Sequence, residues 1–182
     1  MKKAKVIGTI LGVILFIALI AGFTYAYLLS RVEKTVTTGS GKFSIDYQIV
    51  QNITSSSLSP SSNKDEGLHG IVKAKLSENS VAGKFNIYIT PSVIDGLNSN
   101  ALKYEVYIHN GDLTTGTNGN FSTATKDKPL TIVENYDLTS TTDYVTFDIY
   151  IWLDNSLITN DMIGKTFKAT ISADSTAITG EF

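Results

Sequence analysis

Tyr144-Val145-Thr146-Phe147-Asp148-Ile149-Tyr150-Ile151-Trp152-Leu153 is the stretch on which the fold turns. Val145, Phe147, Ile149, Ile151 and Leu153 recur at every second position. Side chains alternate across a β-strand, so these five share one face. Tyr144, Thr146, Asp148, Tyr150 and Trp152 share the other. A strand that is apolar on one face and aromatic on the other is central in its sheet, with the second face partly covered by loops. This alternation is the cleanest in the chain, and it predicts the longest strand, near 143–154.

Working outward, the same period recurs. Phe43, Ile45, Tyr47 and Ile49 alternate with Ser44, Asp46 and Gln48. Val72, Ala74 and Leu76 alternate with Lys73 and Lys75, and Phe85, Ile87 and Ile89 with Lys84, Asn86 and Tyr88. Leu102, Tyr104, Val106 and Ile108 form a further row, Leu130 to Val133 a shorter one, and Phe167, Ala169, Ile171 and Ala173 the last clear one. Residues 177–182 are read as an added edge strand. The Ser-rich stretch 54–66 and the stretch 110–128, with turn signals at Asn110-Gly111 and Asn118-Gly119, are read as loops. Between the strands no 10–15-residue helical pattern appears, which argues against a βαβ unit. The fold class expected is all-β, an antiparallel β-sandwich or jelly roll over residues 43–182, with seven or eight strands.

The N-terminus has a different character. Lys2, Lys3 and Lys5 precede 24 uncharged residues, Val6 to Leu29. As a helix that run is about 36 Å long, enough to cross a hydrocarbon core of about 30 Å. The lysine flank keeps its start in the cytoplasm and sends the rest outside. Thr24-Tyr25-Ala26 also offers the small residues of a signal-peptidase site, with the cut between Ala26 and Tyr27. Residues 1–29 are therefore a signal peptide or a transmembrane anchor, 30–42 a polar linker, and 43–182 the extracellular domain. The membrane is a partner through the N-terminal helix, and the protein sits on the outer side of the cell membrane, anchored or secreted.

Composition removes several functions. The chain of 182 residues has no cysteine and two histidines, His69 and His109. That excludes a disulfide framework, a thiolate metal site and a cysteine nucleophile. From residue 35 onward ten lysines stand against sixteen acids, so a nucleic-acid partner is not expected. His109 at a strand end and His69 beside Gly70 lack a visible nucleophile and orienting acid, and both are read as polar strand residues. Asp148 has no apparent partner. No catalytic, cofactor-binding or metal residue is assigned. Asp154, Asn155, Asn160 and Asp161 share one loop whose oxygens suit Ca²⁺ in kind, but its spacing is not that of an EF-hand, and ordinary turn chemistry accounts for it. Tyr144, Tyr150 and Trp152 are the nominated binding face, as aromatics on carbohydrate-binding sheets are; core or subcore packing is the plainer reading.

Two motifs carry a resemblance. One is Lys2-Lys3 leading through the apolar run to Gly22-Phe23-Thr24-Tyr25-Ala26-Tyr27. The other is Tyr150-Ile151-Trp152-Leu153-Asp154-Asn155 followed by Asn160-Asp161-Met162-Ile163-Gly164-Lys165-Thr166-Phe167. Together they resemble TasA and camelysin-like exported proteins of Gram-positive bacteria, the group with SipW-dependent signal peptides. The resemblance covers about a third of the chain. It implies a jelly-roll exported domain and a place in biofilm-matrix fibres. Leu28-Leu29-Ser30 departs from the acidic or Trp-containing stretch that usually follows such signals.

Three classes of function follow. The first is a non-enzymatic surface or matrix protein acting through protein–protein contacts with other surface proteins or with itself, a fibre subunit by strand addition. The second is an extracellular ligand- or glycan-binding module using the Tyr150 and Trp152 face. The third, a secreted hydrolase, requires a cleft with two acids or a His–acid pair. The first is the expectation.

Overall fold

The computed structural model describes residues 31–38, 41–53 and 56–177. The expected N-terminal helix, the cut between Ala26 and Tyr27, and residues 178–182 lie outside them. Among the described residues no helix is long and apolar enough to cross a membrane.

The fold is all-β. Among the described residues eleven strands run in order: β1 (Arg31–Thr38), β2 (Gly41–Gln51), β3 (Ser56–Ser57), β4 (Pro60–Ser61), β5 (Leu68–Leu76), β6 (Gly83–Val93), β7 (Leu102–Asn110), β8 (Leu113–Asn120), β9 (Leu130–Leu138), β10 (Val145–Asp154) and β11 (Thr166–Ala177). One sheet has the order β1-β2-β5-β10-β7-β8, and the second β3-β11-β6-β9. The pairings of β5, β7, β10, β6, β9 and β11 with one another are antiparallel. Two-residue β4 instead runs parallel to the end of β10. Two 3₁₀ turns, Lys64–Glu66 and Asn160–Met162, are the helical elements among the described residues.

Period-2 patterning explains where the core sits. Phe147, Ile149 and Ile151 of β10 are fully buried, as are Phe85, Ile87 and Ile89 of β6 in the other sheet. They belong to one hydrophobic cluster fed by both sheets. Phe147 meets Phe85 at 5.5 Å and Tyr136 edge-on at 5.2 Å between ring centroids, and Phe121 meets Phe167 at 5.2 Å. β10 is central: its residues pair with β5 on one side and β7 on the other over most of its length.

Four expectations need correction. Residues 31–38 are strand, not linker, and β2 begins at Gly41. The sequence of residues 31–38 has no apolar alternation, yet its β-branched Val32, Thr35, Val36, Thr37 and Thr38 suit a strand at the end of a sheet. Residues 113–120 are likewise strand; β8 is largely exposed along its length, so it carries no periodic apolar signal. The described strands number eleven and not seven or eight, since Ser56–Ser57 and Pro60–Ser61 within the stretch read as a Ser-rich loop are strand as well; on β2, Ser44 and Asp46 are buried. Ser44 N donates to Ser80 Oγ at 3.1 Å, Ser77 Oγ to Ser44 Oγ at 3.1 Å, and Tyr144 Oη to Asp46 at 2.6 Å. Finally, β10 has ten residues and β11 has twelve, so the cleanest strand is not the longest.

Candidate functional site

β10 carries Asp148 on the outer face of the larger sheet. The flanking strands bring a histidine to each side of it. In the registers His69 of β5 stands opposite Tyr150, and His109 of β7 opposite Thr146, so both rings reach diagonally toward residue 148. His69 Nε2 donates to Asp148 Oδ1 at 3.2 Å, and His109 Nε2 donates to Oδ2 at 3.1 Å. The two histidines of the chain thus share one carboxylate. The group is half-buried: side-chain exposure is 33 % for His69, 42 % for His109 and 23 % for Asp148.

Neighbours hold both rings. His69 stacks on Tyr150, with centroids 4.5 Å apart and planes 13° apart. His109 Nδ1 lies 3.1 Å from Thr114 Oγ1 of β8, whose hydroxyl donates to the unprotonated nitrogen. Tyr107 meets Tyr150 edge-on at 5.9 Å, and Lys64 Nζ sits about 5 Å over both phenol rings, at 5.2 and 5.1 Å. Tyr107 Oη donates to Glu105 at 2.9 Å, and this bond, with some burial, holds the phenol above its ordinary pKa.

The nominated face does not form one platform. Trp152 is 8 % exposed. The segment leading into β5 passes close to it, since a Cβ on Gly67 would lie 2.8 Å from Trp152 Cβ. Tyr150 has His69 and Lys64 against its ring. Tyr144 is six residues away, about 20 Å along the strand. There it bonds Asp46, accepts from Gln48 Nε2 at 3.2 Å, and has Lys75 Nζ 4.9 Å from its ring centroid. In the loop read for Ca²⁺, Asp154 accepts from Lys103 and from Ser156 N and Oγ, which leaves its oxygens engaged. Among the described residues no three His, Cys, Asp or Glu side chains stand as a ready metal set.

Sequence reading missed the His–Asp–His group because its members are 40 and 39 positions apart in the chain. The signal was in the register: residues two positions off directly opposite on neighbouring strands share a face, as His69 and His109 do with Asp148. It also missed a cleft of about 360 Å³ on the side of the fold where β7 and β8 face β9. Ile108, Ile132 and Val133 give it an apolar floor, and Tyr104, Thr117 and Glu134 line its walls. Burial raises the Tyr104 phenol above its ordinary pKa. Set beside known proteins, the chain matches no family model and no curated protein.

Proposed function

We propose that this chain is a non-enzymatic exported surface or matrix protein that acts through protein–protein contacts, with further copies of itself as the partner. On this reading the two sheets are a jelly-roll sandwich, and residues 1–29 are a membrane helix or a signal cut between Ala26 and Tyr27. The domain lies on the extracellular side of the cell membrane, and the chain is a TasA- or camelysin-like fibre subunit.

One observation supports it most. β8 and β9 end their respective sheets, and among the described residues neither has a further partner strand. The cleft of about 360 Å³ lies between them. Unpaired strand edges call for main-chain donors and acceptors, and an apolar floor calls for alternate apolar side chains. An extended polypeptide supplies both. After a cut at Ala26 the new N-terminus begins Tyr27-Leu28-Leu29 and runs into β1, which suits that role. A contact from one copy's N-terminus to another's side cleft is heterologous and propagates as a filament unless its rotation closes a ring.

The experiment compares chains beginning at Tyr27 and at Arg31, the second lacking the apolar tripeptide but keeping β1 whole, by light scattering over a concentration series. Growth in mass with concentration for the first and a constant monomer for the second is the expected result. Identical monomers for both would remove strand donation.

A further inference from the structure

We propose that Asn110 is a self-modification site: it loses ammonia and becomes aspartate or isoaspartate, while Asn118, the other asparagine followed by glycine, is protected. The inference is independent of the assembly reading. In both pairs the next residue has no side chain, so its backbone nitrogen can approach the asparagine carboxamide. Both asparagines are also exposed. Neither sequence nor exposure separates them. The hydrogen bonding of the glycine N–H does.

Asn110 ends β7 and pairs with Leu113, which begins β8. Gly111 and Asp112 form the two-residue turn between them, so the Gly111 N–H lies outside the ladder. Gly111 has φ +59°, and a Cβ there would meet nothing within 4 Å. Asn110 Nδ2 donates to Tyr136 Oη at 3.4 Å, too long a bond to hold the carboxamide firmly. Gly119 is placed differently, inside β8 and opposite Tyr104. Antiparallel pairs alternate between bonded and non-bonded. Phe121 N donates to Leu102 O at 3.0 Å, so two pairs further along Gly119 N–H is given to the Tyr104 carbonyl. The Tyr104 side chain also lies against this glycine, since a Cβ there would fall 2.5 Å from its Oη. A nitrogen held in this way does not attack until the strand opens.

The reaction needs only water as co-reactant. The Gly111 nitrogen gives up its proton and attacks Asn110 Cγ. The new Cγ–N bond closes a five-membered succinimide ring, the Cγ–Nδ2 bond breaks, and Nδ2 takes a proton and leaves as ammonia. Water then opens the ring at either carbonyl. One opening gives aspartate; the other gives isoaspartate, whose main chain runs through Cβ and Cγ. Both place a new carboxylate two residues from Asp112. Isoaspartate also lengthens the main chain by one carbon at the position that closes the hairpin, so Asn110 and Leu113 lose their register. Among the described residues β8 has no strand on its other side, and it loosens from the turn end.

The test ages the full-length chain in detergent at mildly alkaline pH and follows both asparagines by mass spectrometry of fragmented peptides. In the folded protein Asn110 converts at least about tenfold faster than Asn118, because the ladder must open before the Gly119 nitrogen is released. In denaturant the two convert at similar rates, since glycine follows both. Asn110→Gln removes the fast site and leaves Asn118 as slow as before. In the isoaspartate fraction the amides of residues 113–120 exchange hydrogen faster than in fresh protein. Equal rates for Asn110 and Asn118 in the folded protein, or an Asn110 that stays intact while the denatured chain converts, overturns the proposal. Exchange unchanged by isoaspartate overturns the loosening of β8.

Discussion

Asp154 closes β10 as the acceptor of three charge-assisted bonds, from Lys103 Nζ and from the backbone N–H and hydroxyl of Ser156. Those bonds, led by Lys103 and opposed by some burial, hold its carboxyl at about 2. An unfolded aspartate titrates at about 3.9. A carboxyl depressed in the folded state stabilises it above the unfolded value, and the contribution fades as pH falls through the folded one. Asp154→Asn should therefore be less stable than wild type at pH 7, and the difference should close between about pH 4 and pH 2. Because Lys103 is partly exposed, the gap at neutral pH is about 1 kcal/mol or less. Thermal melts of the two proteins across that pH range check it; a gap independent of pH would mean the carboxylate charge is not the cause. Gly67 acts through space instead. A Cβ there would lie 2.2 Å from the Ile151 carbonyl oxygen and 2.8 Å from Trp152 Cβ. Backbone of a central strand cannot step aside cheaply, so Gly67→Ala should cost about 1–3 kcal/mol. The chain has a single tryptophan, so lifting that segment from Trp152 should shift fluorescence to the red in the native state. An unshifted spectrum with unchanged stability would show that the segment yields freely.

At the scale of the element, β10 organises the fold. Phe147 is fully buried between Phe85 of β6 and Tyr136 of β9, so it joins the two sheets. Phe147→Ala should cost about 3–5 kcal/mol in denaturant unfolding, through lost transfer energy and the cavity left behind. This strand is also where the sequence is most legible. Its five apolar alternates point inward, and Tyr150 and Asp148 point outward, because burial on one face writes a period of two directly into composition. Edge strands leave no such record. β1 and β8 have no apolar row, so Arg31–Thr38 resembles a linker and Leu113–Asn120 a loop. β8 is fixed instead by its two-residue turn, Gly111-Asp112, where Gly111 has φ +59°, and by eight consecutive pairings with β7. The buried Ser44 and Asp46 were illegible for another reason. Their burial depends on partners at Ser77, Ser80 and Tyr144, which come from distant elements. The His–Asp–His group is hidden in the same way. Each histidine alone is an ordinary polar strand residue, and only the order β5-β10-β7 places both beside Asp148.

For the whole molecule, the two sheets differ in how their edges end. β2 carries β1 beside it, and β3 covers Thr166 and Phe167 of β11. Asn52 Oδ1 accepts from Ile171 N at 3.2 Å, so a side chain caps that edge further along. The β8–β9 side has a cleft instead, with Ile108, Ile132 and Val133 at its base. If this side accepts the N-terminus of another copy, acceptor and donor lie on separate parts of one chain and can be removed separately. A chain beginning at Tyr27 with Thr117→Lys and Thr131→Lys keeps the donor but places two ammonium groups in the cleft, where an apolar strand would have to desolvate them. A chain beginning at Arg31 keeps the cleft and β1 but lacks the donor. Each alone should stay monomeric at concentrations where the unmodified Tyr27 chain grows. Mixed in equal amounts, they should form one-to-one dimers and stop there, because each dimer joins the only donor to the only open cleft. Analytical ultracentrifugation of the mixture reads this directly. Filaments from the lysine variant alone would place the acceptor elsewhere on the molecule, and a mixture that stays monomeric while the unmodified chain polymerises would mean that donor and cleft do not engage each other.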